Sequence, residues 1–350
     1  MSDSGIFRQR LIKPEESQKV TLWKPLFGVL LGFLLIRSLL AAIFPLSLRQ
    51  QQVEWVGSTQ QAFSEVEDQI DVLFLGSSRI YRGVNPEIIQ EDSIAHSTPI
   101  TVFNHAWPNM TLLEIQSIIR DSSLQDIDFV LFEPSMHSQW VVNNPDSMRA
   151  HTFFTPRNTL EHLQYLSCAG FPKKLSLESA YHATMAMLSS LFGRGFLQQY
   201  STMNTERTTA PALGHRSLDQ ETKDSFLERE LQFKEQRKQY NKKRKRLLRK
   251  PSKPPSSCQI EAIQDTVALI RSKGSEPIIL FPPTVRMAKE YNGLAERIIQ
   301  LDVQYLIYDI DTVPELYAPQ LRYDEEHLNA AGAAVWSRLL ADDLMRIRED

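Results

Sequence analysis

Two cysteines, Cys168 and Cys258, are all that the 350 residues hold, and their spacing is not that of a metal site. His105, His137, His151, His162, His182 and His215 are scattered without ligand spacing, so no metal and no other cofactor is expected. In an oxidising compartment the two thiols would pair; two free thiols is the blander expectation. Charge of one sign is also lacking overall, with 39 basic and 42 acidic residues and a net charge of -3. That balance conceals an uneven distribution. Residues 234–253 carry eleven Lys or Arg against the single acid Glu235, a local +10, which leaves the remainder at -13. An apolar content of 42% and a charged content of 23% sit near globular averages and exclude disorder throughout.

Long apolar runs are equally scarce: there is one, Pro25 to Leu48, interrupted by Arg37, Ser38 and Ser47. About 20 such residues span a bilayer. Leu40 and Ile43 spoil the small-x-small pattern of a cleavage site, so an uncleaved anchor is expected over residues 25–48. Arg37 is the discordant residue, because a charge near the bilayer centre costs about 2.5–3.5 kcal/mol on insertion scales. Arg8, Arg10, Lys13, Lys19 and Lys24 precede the run and only Arg49 follows it closely. The positive-inside rule then makes residues 1–24 a cytoplasmic tail. Residues 49–69 read as a linker, and residues 70–350 as a domain on the periplasmic or extracellular side of the cytoplasmic membrane. That side of the membrane also removes nucleic acid as a partner.

Short apolar runs at Asp71–Leu75, Ile100–Asn104, Asp128–Phe132, Pro277–Phe281 and Tyr305–Tyr308 alternate with longer segments of helical period. Near-continuous apolar runs of four to five residues are how strands buried on both faces read, so an α/β fold with a central parallel sheet of about five strands is expected. Residues 135–256 are too long for one crossover and read as a helical insertion. Its basic part, from Lys234 onward, is either a solvated helix or a contact for anionic lipid or an acidic polymer.

Two motifs carry chemistry. In Asp71–Gly83, DVLFLGSSRIYRG, a buried strand runs into Gly76-Ser77-Ser78. A serine there sits at the carboxyl edge of a parallel sheet, where α/β folds place ligands. Near the C-terminus, Asp324-Glu325-Glu326-His327 can set a carboxylate against one imidazole nitrogen and leave the other to take a serine proton. The bland alternative is a Gly-Ser turn, with polar loop residues and Asn329 capping the last helix.

Together these motifs resemble the SGNH/GDSL hydrolase superfamily, over roughly residues 70–135 and 257–350. The resemblance implies a flavodoxin-like three-layer sandwich, with Ser78 as nucleophile, His327 as general base and Asp324 as its orienting partner. Gly-Ser-Ser behind a single anchor is similar to the membrane-tethered members of alginate O-acetylation and lipoteichoic-acid D-alanylation. The expected function is therefore that of an esterase or O-acyltransferase acting on a cell-envelope glycan or exopolysaccharide. The alternative is a non-catalytic assembly factor docking onto a membrane-bound O-acyltransferase. The second family block offers Ala106 as a backbone oxyanion donor and Asn104 or Asn109 as side-chain donors. The Asn of the third block is missing, since that strand ends Phe132-Glu133-Pro134-Ser135. Glu133 is expected to be a substrate contact or a structural carboxylate. Arg79 and Arg82 are expected to face an anionic substrate or to form surface ion pairs.

Overall fold

The structure, a computed structural model, describes residues 56–135, 148–168, 173–191, 213–218, 224–247 and 254–349, together with Gly28 and Gly32. The chain divides into two units, Met1–Phe44 and Pro45–Asp350, and the elements below all belong to the second. Apart from Gly28 and Gly32, the apolar run at 25–48 lies outside the described residues. Among those residues no helix is long and apolar enough to cross a membrane.

Five strands, β1 (Val72–Leu75), β2 (Val102–Asn104), β3 (Phe129–Phe132), β4 (Glu276–Phe281) and β5 (Gln304–Ile307), form one sheet in the order β2-β1-β3-β4-β5. Every pairing is parallel. Side chains alternate between two buried faces, which explains why the inner strands read as nearly continuous apolar runs. Leu73 and Leu75 face one core, with α4 (Leu112–Asp121), α10 (Ser257–Ser272) and α11 (Ala288–Ile298). Val72 and Phe74 face a second core, with α3 (Pro86–Ala95) and α12 (Ala330–Glu349). The result is an α/β sandwich of three layers, in which burying each large apolar side chain contributes about 1.5–3 kcal/mol.

Chain direction across the sheet reverses at β1, since β2 lies on one side of it and β3 on the other. In doubly wound sheets ligands bind at such a switch point, outside the carboxyl ends of the strands. Ser77-Ser78 and Glu133 follow β1 and β3 at that edge.

Two expectations are corrected. Residues 49–69 are not only a linker: α1 (Val56–Val66) brings Phe63 into the core, fully buried, with its ring 5.6 Å from Phe103 and 4.7 Å from His105. The cysteines are bonded, with Cα atoms 6.0 Å apart, and join the end of α6 (Pro156–Cys168) to the first turn of α10. They thus tie the insertion to the crossover helix beneath it.

The insertion holds α5 (Met148–Phe153), α6, α7 (Lys173–Leu191), α8 (Asp224–Glu235) and α9 (Arg237–Leu247). The basic part does not begin a helix of its own at Lys234: α8 runs on through Lys234 and Glu235, the chain turns at Gln236, and α9 follows. Nor is that part simply solvated. Tyr240, seven residues after the buried Phe233, enters the second core and donates to the Tyr317 carbonyl at 2.9 Å, while Arg244 donates to the same oxygen at 3.1 Å. Residues 213–218 run beside β2, where the Asn104 N–H donates to the Leu213 carbonyl at 3.1 Å. Gly214 has φ +83°, and a Cβ there would stand 1.9 Å from the Asn104 carbonyl oxygen, so only glycine fits.

Candidate active site

β1 passes through Gly76 directly into α2 (Ser78–Gly83). Gly76 is tightly enclosed: a Cβ would meet the Glu133 Cβ at 2.9 Å. Ser77 is the N-cap of α2, its Oγ accepting the Arg79 N–H at 3.3 Å, and it is buried. Ser78 is the first helical residue, and its Oγ lies 2.8 Å from His327 Nε2. Of the two serines, it is Ser78 that meets the histidine.

The His327 turn is built locally. The N–H groups of Tyr323 and Asp324 donate to the His327 carbonyl at 3.0 and 3.4 Å. Asp324 Oδ1 accepts the N–H groups of Glu326 at 2.6 Å and His327 at 2.8 Å. The imidazole Nδ1 stands 3.0 Å from both carboxylate oxygens. Buried Arg322 gathers the Asp324, Glu325 and Pro283 carbonyls at 3.2, 3.0 and 2.9 Å, which fixes the turn to the segment after β4. Asn329 also caps α12 through the Gly332 N–H at 2.9 Å, so capping and the Asp-x-x-His contact coexist.

Burial alone would raise the Asp324 pKa. The attraction of His327 and its hydrogen bond, then Arg229 and the Glu326 N–H, outweigh burial and hold the carboxyl well below its ordinary range. An ionised carboxylate only accepts, so Nδ1 carries the ring proton and Nε2 is left to accept the Ser78 hydroxyl. Such a relay can deprotonate a serine during attack and return the proton to a leaving group.

The serine turn is held from below by a buried network. Fully buried Glu133 accepts the Ser77 N–H at 2.7 Å, Arg79 Nε at 2.7 Å and the Tyr291 hydroxyl of α11. Burial opposes its charge, but Arg79, Tyr291 and Ser77 together lower its pKa below the ordinary value. Burial likewise works against Arg79, and Glu133 keeps it charged. Glu133 is therefore the structural carboxylate of the two expected roles. Arg79 belongs to the same network. Arg82 is also turned inward, donating to the Arg216 carbonyl at 3.1 Å with its guanidinium 4.7 Å from the Tyr81 ring centre. Neither arginine lies on the surface, because each satisfies a group that folding has taken out of water.

The expected oxyanion donors separate. Asn104 has both amide hydrogens committed, to the Ile80 and Val84 carbonyls at 3.0 and 2.8 Å, and its Oδ1 accepts the Ala106 N–H at 3.2 Å. Asn104 thus braces the loop and occupies the Ala106 donor. A buried amide takes internal partners because leaving it unpaired is costly. Asn109 is exposed with φ +57°, and its side chain makes no hydrogen bond among the described residues. The Ser78 N–H is likewise unpaired among them. Arg149 of α5, invisible to motif reading, anchors this loop. It donates to the Pro108 and Asn109 carbonyls at 2.6 and 2.9 Å and clasps Glu114 of α4 at 2.7 and 2.8 Å. Glu114 also closes a capping box with Thr111, a Thr-x-x-Glu signature that the sequence does display.

Among the described residues no group of three or more His, Cys, Asp or Glu is placed to hold a metal ion. No protein-family model matches the chain, and no curated protein matches it.

Proposed function

We propose that the chain is a membrane-anchored serine esterase or O-acyltransferase of the SGNH type, acting on a cell-envelope glycan or exopolysaccharide. The observation that carries this reading is the continuous relay from Ser78 Oγ through His327 to Asp324, at 2.8 and 3.0 Å, beside the switch point of the sheet. In this mechanism Ser78 Oγ attacks the acyl carbonyl carbon as its proton passes to His327 Nε2. The Asp324 carboxylate stabilises the imidazolium so formed. When the tetrahedral species collapses, the ester C–O bond breaks and the leaving alcohol takes the proton from His327. Water or a sugar hydroxyl then attacks the acyl-enzyme, losing its proton to His327; the bond between the acyl carbon and Ser78 Oγ breaks, Oγ takes that proton back, and the acid or new ester leaves. The Ser78 N–H and Asn109 are the donors available to the oxyanion.

The apolar run at 25–48 and the basic residues before it support a single anchor with a cytoplasmic N-terminus. The Cys168–Cys258 bond supports a domain in an oxidising compartment outside the cytoplasm.

The test is a fluorophosphonate probe on the purified protein, with the labelled peptide mapped. Label is expected on Ser78, retained in Ser77→Ala and absent in Ser78→Ala; label that survives Ser78→Ala sinks the assignment.

A second reading keeps the fold without the chemistry: an assembly factor that docks onto a membrane-bound O-acyltransferase. The engaged Asn104 amide and Ala106 N–H favour it, since losing one oxyanion donor has cost about 2.7–4 kcal/mol where measured. A folded protein that no probe labels would select this reading.

A further inference from the structure

One contact links the insertion to the relay. Arg229, in the middle of α8, places a guanidinium nitrogen 2.7 Å from Asp324 Oδ2. The same helix offers the Phe226 carbonyl to the Tyr323 hydroxyl. Phe233 is buried and Phe226 half-buried; Arg229, between them at helical spacing, is exposed yet reaches Asp324, and Leu227 and Leu231 are exposed as well. Asp324 Oδ1 accepts two backbone N–H groups, and Arg229 braces the same carboxylate at Oδ2.

The other charged groups around the turn are engaged elsewhere. Glu325 pairs with Lys243 of α9 at 2.6 Å. Glu326 faces Arg286 at 3.3 Å and both Arg79 and Arg229 at 3.7 Å. Arg322 serves backbone carbonyls. Among the described residues, Arg229 is the one Lys or Arg that forms an ion pair with the carboxylate that faces His327.

We propose that Arg229 is a positioning residue through which the insertion sets the reactivity of Ser78: it shares the Asp324 carboxylate with His327, so that displacement of α8 is felt at the serine. The inference rests on the serine-hydrolase reading. Its physical basis is that a guanidinium bound to one carboxylate oxygen reduces the negative charge that stabilises the imidazolium during proton transfer.

The experiment compares Arg229→Gln and Arg229→Lys with the full chain, following the fluorophosphonate labelling rate against pH. In Arg229→Gln the acid limb is expected to move to higher pH by about half a unit to one unit, a modest shift because the arginine is partly solvated. Arg229→Lys, which keeps the charge, should retain the original limb. Superimposed limbs in a folded Arg229→Gln protein would overturn the proposal.

Hydrogen exchange supplies a readout that needs no activity. Arg229→Gln should speed exchange at the Glu326 and His327 amides, and Asp324→Asn should speed exchange along α8. If wild type takes no label, the hydrolase reading fails, and this reciprocal exchange alone decides whether the tie exists. Exchange unchanged in both directions would rule it out.

Discussion

The two halves of the site are held in opposite ways. The His327 turn is organised largely by itself, with its own N–H groups on Asp324 and its own carbonyls on Arg322, while Pro283, Val285 and α8 bind it from outside. The Ser78 turn is held by groups from distant parts of the chain: Glu133 at the end of β3 and Tyr291 on α11, with Arg79 between them. A loop organised by its own backbone keeps its shape wherever the fold carries it. A loop organised by a buried ion pair depends on the whole sheet being assembled. The halves should therefore fail separately, and the following variants test whether they do.

The largest effect is expected from Glu133→Ala, which strands the buried Arg79 charge and leaves the Tyr291 hydroxyl and Ser77 N–H without their acceptor. Breaking one side of a buried pair costs about 3–5 kcal/mol. Calorimetry should show a large fall in Tm. Glu133→Gln, which keeps an acceptor, should fall less. Equal stability of Glu133→Ala and wild type would show that the serine turn does not rely on the network.

Reducing the Cys168–Cys258 bond perturbs neither half directly. A disulfide typically stabilises by about 2–4 kcal/mol, so denaturant midpoints should drop in dithiothreitol while folded protein keeps its probe-labelling rate. A labelling rate that collapses before unfolding would place the insertion's tether in control of the site.

Arg322→Ala removes three charge-assisted hydrogen bonds from the histidine side. A cost of about 2–3 kcal/mol is expected after water re-enters. Unlike Glu133→Ala, it should slow labelling in protein that remains folded, because His327 loses its frame. An unchanged labelling rate would contradict the local account of that turn.

The smallest effect at neutral pH concerns His105, on the serine side. It is fully buried among Phe63, Phe103 and Trp107, and burial pushes its pKa down to about 3 from 6.5. Neither ring nitrogen has a hydrogen-bond partner among the described residues. A base whose folded pKa is depressed stabilises fully above 6.5 and loses that contribution as pH falls toward 3. By pH 5 the loss is about 2 kcal/mol. His105→Phe should leave neutral-pH stability similar or slightly higher and resist acid better. Parallel acid unfolding of the two proteins would remove His105 from the explanation.

The same contrast marks what the sequence could disclose. Strands announced themselves as short apolar runs, found within one or two residues of their observed ends, because burial of β1 to β4 on both faces leaves few polar positions in them. Ser78, Asp324 and His327 were legible because each sits in a short turn whose residues are adjacent in the chain. Arg149 with Glu114, Arg229 with Asp324 and Tyr291 with Glu133 join residues far apart in sequence, and no local pattern records such pairs. Asn104 shows how residue type alone misleads. An asparagine at a strand end reads as a donor for substrate, whereas burial commits its amide to the nearest carbonyls. Phe63 was hidden for a related reason: a single helix turned one aromatic ring into the core from a stretch that otherwise reads as polar.

Whether Ser78, His327 and Asp324 act as one unit is tested most directly by turnover of a small soluble acyl ester in Ser78→Ala, His327→Ala and the double variant. Residues that work as a unit give grossly non-additive losses. The expected result is a loss of about 10⁴-fold or more in either single variant, with the double variant no slower than the worse of the two. Turnover unaffected by Ser78→Ala, or losses that multiply in the double variant, would contradict a shared relay.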